Sequence, residues 1–199
     1  PVDNKVTGWW VDEAIKTVQL PLLNAGTHEL VLSIGMTKKN NVEWCYLLGD
    51  FGVETGGREA KIIAMPKHLN IGDWAKQGLV FYSGNLTYHF TIEGQDREME
   101  VEVANFKGPL TAVALDGKPA GKIAFAPWRL ELGRVAKGTH KLDVTVFGNR
   151  VNEFGPVHST KTHKGYWAGS GSWYTSGDAW SYDYQLKPLG LMSEPAVKV

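Results

Sequence analysis

"EMEVEVANF" runs from Glu98 to Phe106 and alternates strictly over its first six residues. Side chains along a strand point to opposite faces in turn, so Met99, Val101 and Val103 share one face and Glu98, Glu100 and Glu102 the other. One apolar face and one charged face mark an antiparallel sheet with a single wet side. "THELVLSIGM" (27–36), "NLTYHFTIEG" (85–94), "LTAVALDG" (110–117) and "KLDVTVFGN" (141–149) read the same way, each bounded by Gly, Asn or Pro. Within "ALDGKPAGKI" (114–123), Asp116-Gly117 supplies the dipeptide that a two-residue hairpin turn demands. "VDEAIKTVQL" (11–20) and "EPAVKV" (194–199) are too short or too β-branched to predict helix. Many short strands, frequent Gly turns and little helix predict an all-β sandwich of the jelly-roll kind.

An internal echo complicates the domain reading. "LPLLNAGTHELVLSIGM" (20–36) resembles "LELGRVAKGTHKLDVTVFG" (130–148). Each has a Leu-led segment, a Gly-Thr-His, a charged residue, then Leu and an alternating strand. Residues 1–40 therefore read as first strands of the sandwich or as the tail of a preceding one, and residues 41–199 as the sandwich itself. With 43% hydrophobic residues in 199, the chain has material for a sizeable core.

Charge and cysteine content narrow the function classes. Lys+Arg and Asp+Glu both number 21, which gives no basic footprint for nucleic acid or for an anionic membrane surface. "HSTKTHKG" (158–165) is the one short basic cluster. No stretch approaches the ~18 apolar residues of a membrane helix. The single cysteine, Cys45, forms no intrachain disulfide, and its apolar run "VEWCYLL" predicts a buried, inert thiol. The chain opens on Pro and shows no signal-peptide pattern, as expected of a cut-out or processed piece.

Leu86 to Gly148 resembles the sugar-binding jelly-roll domain that accompanies the catalytic barrel in family 2 type glycoside hydrolases. The resemblance rests on "LTYHFTIEG" and on "LTAVALDGKPAGKIAFAPWRLELGRVAKGTHKLDVTVFGN", with Asp116 where that family often has Asn. Flanking segments, "VEWCYLLGDFGV", "GDWAKQGLVFYSGNLTY", "NRVNEFGPVH" and "YDYQLKPLGL", are similar to longer galactose-binding-like domains appended to bacterial glycoside hydrolases. These are fold motifs, so no active site is carried over. The resemblance implies a galactose-binding-like sandwich serving as a non-catalytic accessory module, with a neutral glycan or the catalytic domain of the same polypeptide as partner. It also implies a periplasmic or extracellular setting. The alternatives are a contribution to a glycosidase site at a domain seam, or a spacer without ligand.

Glycoside hydrolysis needs two carboxyl groups, roughly 5–5.5 Å apart for retention and 6.5–9.5 Å for inversion. Glu43, Asp50, Asp73, Glu153, Asp178 and Asp183 lie near aromatics, but nothing in their spacing joins any two. The six histidines offer no zinc-ligand spacing. No cofactor is expected beyond a structural calcium, for which Asp50 and Glu54 in "GDFGVETGG" (49–57) are the candidates.

The aromatics remain. Rings cover the C–H faces of a sugar while polar side chains bind its hydroxyls. Trp9, Trp10, Trp44, Trp74 and Trp128 sit in apolar runs and are expected to pack in the core or between domains. In the long Gly/Ser-rich stretch from 165 to 184, Trp167, Trp173, Tyr174, Asp178 and Trp180 are the candidates for sugar contact. Tyr182 and Tyr184 alternate with Asp183, which predicts one shared core face at the start of a closing strand, "YDYQLKPLGL".

Overall fold

The computed structural model describes residues 4–39, 44–163 and 168–199. The chain divides into two compact units, Pro1–Tyr46 and Leu47–Val199.

The first unit holds one antiparallel hairpin, β1 (Val6–Trp10) and β2 (Asp12–Val18), turning at Val11 with φ +67°. Residues 27–36, expected as a strand, form none, and their side chains are exposed. A strand needs a neighbour to take up its backbone N–H and C=O groups, and the hairpin does not extend to these residues. Trp9, Trp10 and Trp44 are exposed instead of packed in a core. Cys45 is exposed as well, because residues 44–46 carry no regular structure that would bury the run.

The second unit is an all-β sandwich. It opens with the hairpin β3 (Phe51–Gly56) and β4 (Glu59–Ala64), followed by a 3₁₀ turn, Trp74–Gln77. Then come β5 (Leu86–Gly94), β6 (Arg97–Glu102), β7 (Phe106–Lys107), β8 (Thr111–Leu115), β9 (Lys118–Ile123), β10 (Arg129–Val135) and β11 (Gly138–Val146). Two four-residue helices, α1 (Val151–Phe154) and α2 (Thr160–His163), follow, and the described residues 168–189 form a long loop with one 3₁₀ turn, Ser170–Ser172. β12 (Gly190–Leu191) and β13 (Ala196–Lys198) end the chain.

Among the described residues the named strands pair antiparallel, and one isolated parallel bridge joins Val53 of β3 to Leu79. One sheet has the order β5-β11-β8-β9, a second β10-β6-β13, and β12 pairs with β7. The alternating run from Glu98 lies where its pattern requires: Met99, Val101 and Val103 are buried, while Glu98, Glu100 and Glu102 face outward in or beside β6. Arg129 and Lys198, on the neighbouring strands, pair with these glutamates. Leu142, Val144 and Val146 of β11 are fully buried and meet Val113, Ile123, Val101, Val103, Leu189, Leu191 and Trp74 in one core. Each such side chain contributes about 1.5–3 kcal/mol when buried.

The Asp116-Gly117 turn joins β8 to β9 as expected, with φ of +50° and +76°. Asp116 also holds the start of β11: its carboxylate accepts the Lys141 N–H at 2.9 Å and pairs with His140 Nδ1 at 2.7 Å. That contact lowers the Asp116 pKa and raises that of His140.

Candidate functional site

Two stretches of the second unit, 157–160 and 179–185, run side by side. The Ser181 N–H donates to the His158 carbonyl at 2.9 Å, the Thr160 N–H to Ala179 at 3.0 Å and the Gln185 N–H to Val157 at 2.6 Å. His158 Nδ1 meets the Ser181 carbonyl at 2.9 Å. Below them, the buried Asn152 of α1 makes a reciprocal pair with the Lys187 backbone. Its Nδ2 donates to the carbonyl and its Oδ1 accepts the N–H, both at 2.8 Å. A loop without strands is thereby fixed on the sandwich through its own backbone groups.

This frame lines up a row of rings that runs from the half-buried Phe81 to solvent. Phe81 meets Tyr184 edge-on with centroids 5.6 Å apart, Tyr184 lies 4.6 Å from His158, and His158 lies 5.9 Å from Trp180. Trp180 meets Tyr182 at 4.3 Å in a T-shaped contact. At the outer end the Arg58 guanidinium covers the Tyr182 ring, 3.6 Å from its centroid. Arg58 is the second residue of the two-residue Gly57-Arg58 turn that joins β3 to β4. A Cβ at Gly57 would lie 3.8 Å from an Asp183 carboxylate oxygen, so this acid borders the same tip. Arg58 and Asp183 are both exposed beside an aromatic edge, one a fixed donor and the other an acceptor.

The sequence candidates divide. Trp180 is half-buried inside the row and Tyr174 is half-buried with the Lys161 ammonium 5.4 Å from its ring. Trp173 is exposed by 41%, and Asp178 is exposed, its carbonyl accepting from the Thr160 hydroxyl at 3.4 Å. Trp167 lies outside the described residues. Tyr182 and Tyr184 do not share a core face. No strand forms there, Tyr182 is 48% exposed, and only Gly190–Leu191 of the expected closing segment pairs into a sheet. The backbone of 181–185 is engaged with 157–158, leaving no period-two ladder to impose a common face. Arg58 and His158 are absent from the sequence candidates. The Gly-Gly pair before Arg58 signals an exposed tip, but nothing local ties it to a tyrosine so distant in sequence.

Of the carboxyl candidates, Asp73 accepts from the N–H groups of Ala75 at 3.0 Å and Leu189 at 3.2 Å, and Glu153 pairs with Arg150 at 3.0 Å. Both hold the fold. Glu43 lies outside the described residues. Among the described residues no three His, Cys, Asp or Glu side chains converge in a way that could hold a metal ion. Asp50 precedes β3 and Glu54 lies along it, about 13 Å further on along an extended chain. An open depression of about 270 Å³ between Val53, Glu54, Thr55, Lys76 and Leu186 is lined by none of the aromatic candidates.

No family model and no curated protein matches the chain. Solved structures similar to part of it include a GH2 beta-galacturonidase from Eisenbergiella tayi bound to glycerol, at 27% identity over 53% of this chain with a TM-score of 0.35. The galacturonate-bound form of the Eisenbergiella tayi GH2 beta-galacturonidase aligns over the same 53% at 25% identity and a TM-score of 0.35. A rhamnosidase from Novosphingobium sp. PP1Y aligns over 82% at 20% identity with a TM-score of 0.41. The aligned region makes up 18% of the galacturonidase chain and 16% of the rhamnosidase chain, so this chain spans less than a fifth of either protein.

Proposed function

We propose that residues 47–199 form a jelly-roll accessory module of a bacterial glycoside hydrolase, non-catalytic in itself, that holds a neutral glycan on its 173–184 loop. The observation that carries the reading is the ring row ending at Tyr182, with Arg58 and Asp183 at its solvent edge. An apolar ring surface with a few fixed donors and acceptors is what a sugar's C–H face and hydroxyls require. Trp173 and Asp178, exposed on the same loop, extend the supply of both kinds of group. The equal numbers of acidic and basic residues fit a neutral ligand better than a polyanion. The resemblance of Leu86–Gly148 to sugar-binding jelly rolls, which falls on β5 to β11, points to the same class of ligand.

An array of neutral and acidic oligosaccharides on the 199-residue chain, with titration of the best binder, tests this. Saturable binding to a neutral glycan is expected, weakened about tenfold, or ~1.4 kcal/mol, by Trp173→Ala or Tyr182→Ala. Silence on the array would leave the spacer reading standing. Turnover of an aryl glycoside, lost with one carboxylate, would replace the proposal with a catalytic one.

A further inference from the structure

The echo between 20–36 and 130–148 extends to three dimensions. Gly26 and Gly138 both have positive φ, +149° and +131°. Two residues on, His28 Nε2 meets the carbonyl of Asn24 at 2.7 Å, and His140 Nε2 meets that of Ala136 at 2.9 Å. Each imidazole thus closes the same turn on the carbonyl four residues back. The order of elements also corresponds. The β1–β2 hairpin, a Leu-led link, the Gly26 turn and an alternating segment match the β8–β9 hairpin, β10, the Gly138 turn and β11.

Beyond the two turns, the alternating segments meet opposite environments. Leu142, Val144 and Val146 are 0% exposed, held between β5 and β8 and beneath the opposite sheet. Their counterparts Leu30, Leu32 and Ile34 are exposed by 56%, 60% and 59%. A row of Leu and Ile on one face of an alternating segment has no role in water and a defined one inside a sandwich.

We infer that residues 6–36 are the closing strands of a second sandwich built like the 47–199 unit, and that 28–36 is its β11 counterpart. The strand is to be covered by a β5-like neighbour and an opposing sheet. In the second unit β5, the neighbour of β11, comes before the β8–β9 hairpin in the order of elements, so the occupant we assign is a strand of the same polypeptide that comes before the β1–β2 hairpin. The inference is independent of any sugar binding.

The test is amide hydrogen exchange on two proteins, the full polypeptide that carries this sequence and the 199-residue chain. In the full polypeptide the amides of 28–36 are expected to exchange orders of magnitude more slowly than in the 199-residue chain, with protection like that of β11. Val31 corresponds to the outward-facing Asp143, so Val31→Asp in the full polypeptide should keep that protection while Leu32→Asp abolishes it. Unprotected amides in the unmodified full polypeptide would overturn the inference, whether or not the Leu32 variant folds. So would a full polypeptide with no sandwich ahead of residue 1. Protection that arises in the 199-residue chain by dimerisation would overturn it too, making a second copy the occupant.

Discussion

Asn152→Ala removes the reciprocal pair that fixes the exit of the long loop. Each of its two hydrogen bonds contributes about 0.5–1.5 kcal/mol net, and because the half-buried Lys187 N–H and carbonyl lose these contacts, the cost per group rises toward the desolvation value of about 1–3 kcal/mol. With partial relaxation the expected loss is about 2–4 kcal/mol. For a unit of this size each kcal/mol shifts Tm by ~2–4 °C, so Tm should fall by about 4–16 °C. Asn149→Ala is the control, because its side chain accepts a single exposed bond from the Val151 N–H at 3.0 Å. Thermal unfolding monitored by near-UV circular dichroism compares the two, and limited proteolysis reports whether 155–187 is the first segment to open. The reasoning is refuted if Asn152→Ala is no more destabilising than Asn149→Ala.

Packing, titration and the exposed cation at the loop edge each set a further expected outcome. At Gly94 a Cβ would sit 1.9 Å from the Ala136 carbonyl oxygen, so Gly94→Ala should cost about 1–3 kcal/mol in urea unfolding. Gly171→Ala, with nothing within 4 Å, should leave the midpoint unchanged. The His140–Asp116 contact sets a pH window. The raised His140 pKa contributes stability that is full below the unfolded value near ~6.5 and is lost as pH rises through the folded value. The lowered Asp116 pKa contributes stability present above ~3.9 and lost as pH falls through its folded value. Glu93 favours the charged imidazole and Lys118 the charged carboxylate, so both neighbours reinforce the window. The difference in Tm between wild type and His140→Ala should therefore shrink from pH 6 to pH 9, and a constant difference would contradict the assignment. Arg58→Ala should cost no more than ~1 kcal/mol of stability, since cation–π contacts at exposed sites are small, yet change the fluorescence or sugar affinity of the loop.

The parts of the fold legible in the sequence are those where periodicity and burial coincide. β6, β11 and the Asp116-Gly117 turn are readable because alternation, a charged outer face and turn chemistry agree at every position. Residues 27–36 carry equally clear alternation and form no strand, because a pattern encodes which face wants burial and cannot supply the partner that buries it. Cys45 departs from expectation for the same reason: its apolar neighbours signal a core that the described first unit does not contain. The closing segment departs for another. Its backbone pairs with 157–160 in an irregular register, so Tyr182 turns outward to Arg58 while Tyr184 turns inward to Phe81 and His158. Of the candidate site, the loop and its aromatics are visible in composition, whereas Arg58 and His158 depend on tertiary contacts that no local pattern records.

The central claim is that the 173–184 loop receives a neutral sugar on its aromatic edge. The most direct measurement is a two-dimensional NMR titration of the 199-residue chain with the best neutral oligosaccharide, tracking the backbone amide, Trp indole N–H and Arg Nε–H resonances. Saturable shifts confined to the 173–184 loop and Arg58, the Trp173 and Trp180 indoles among them, with Trp74 unmoved in the core, are the predicted result. Shifts that map to the β3–Leu186 depression instead, or none at concentrations where the array reports binding, would contradict it.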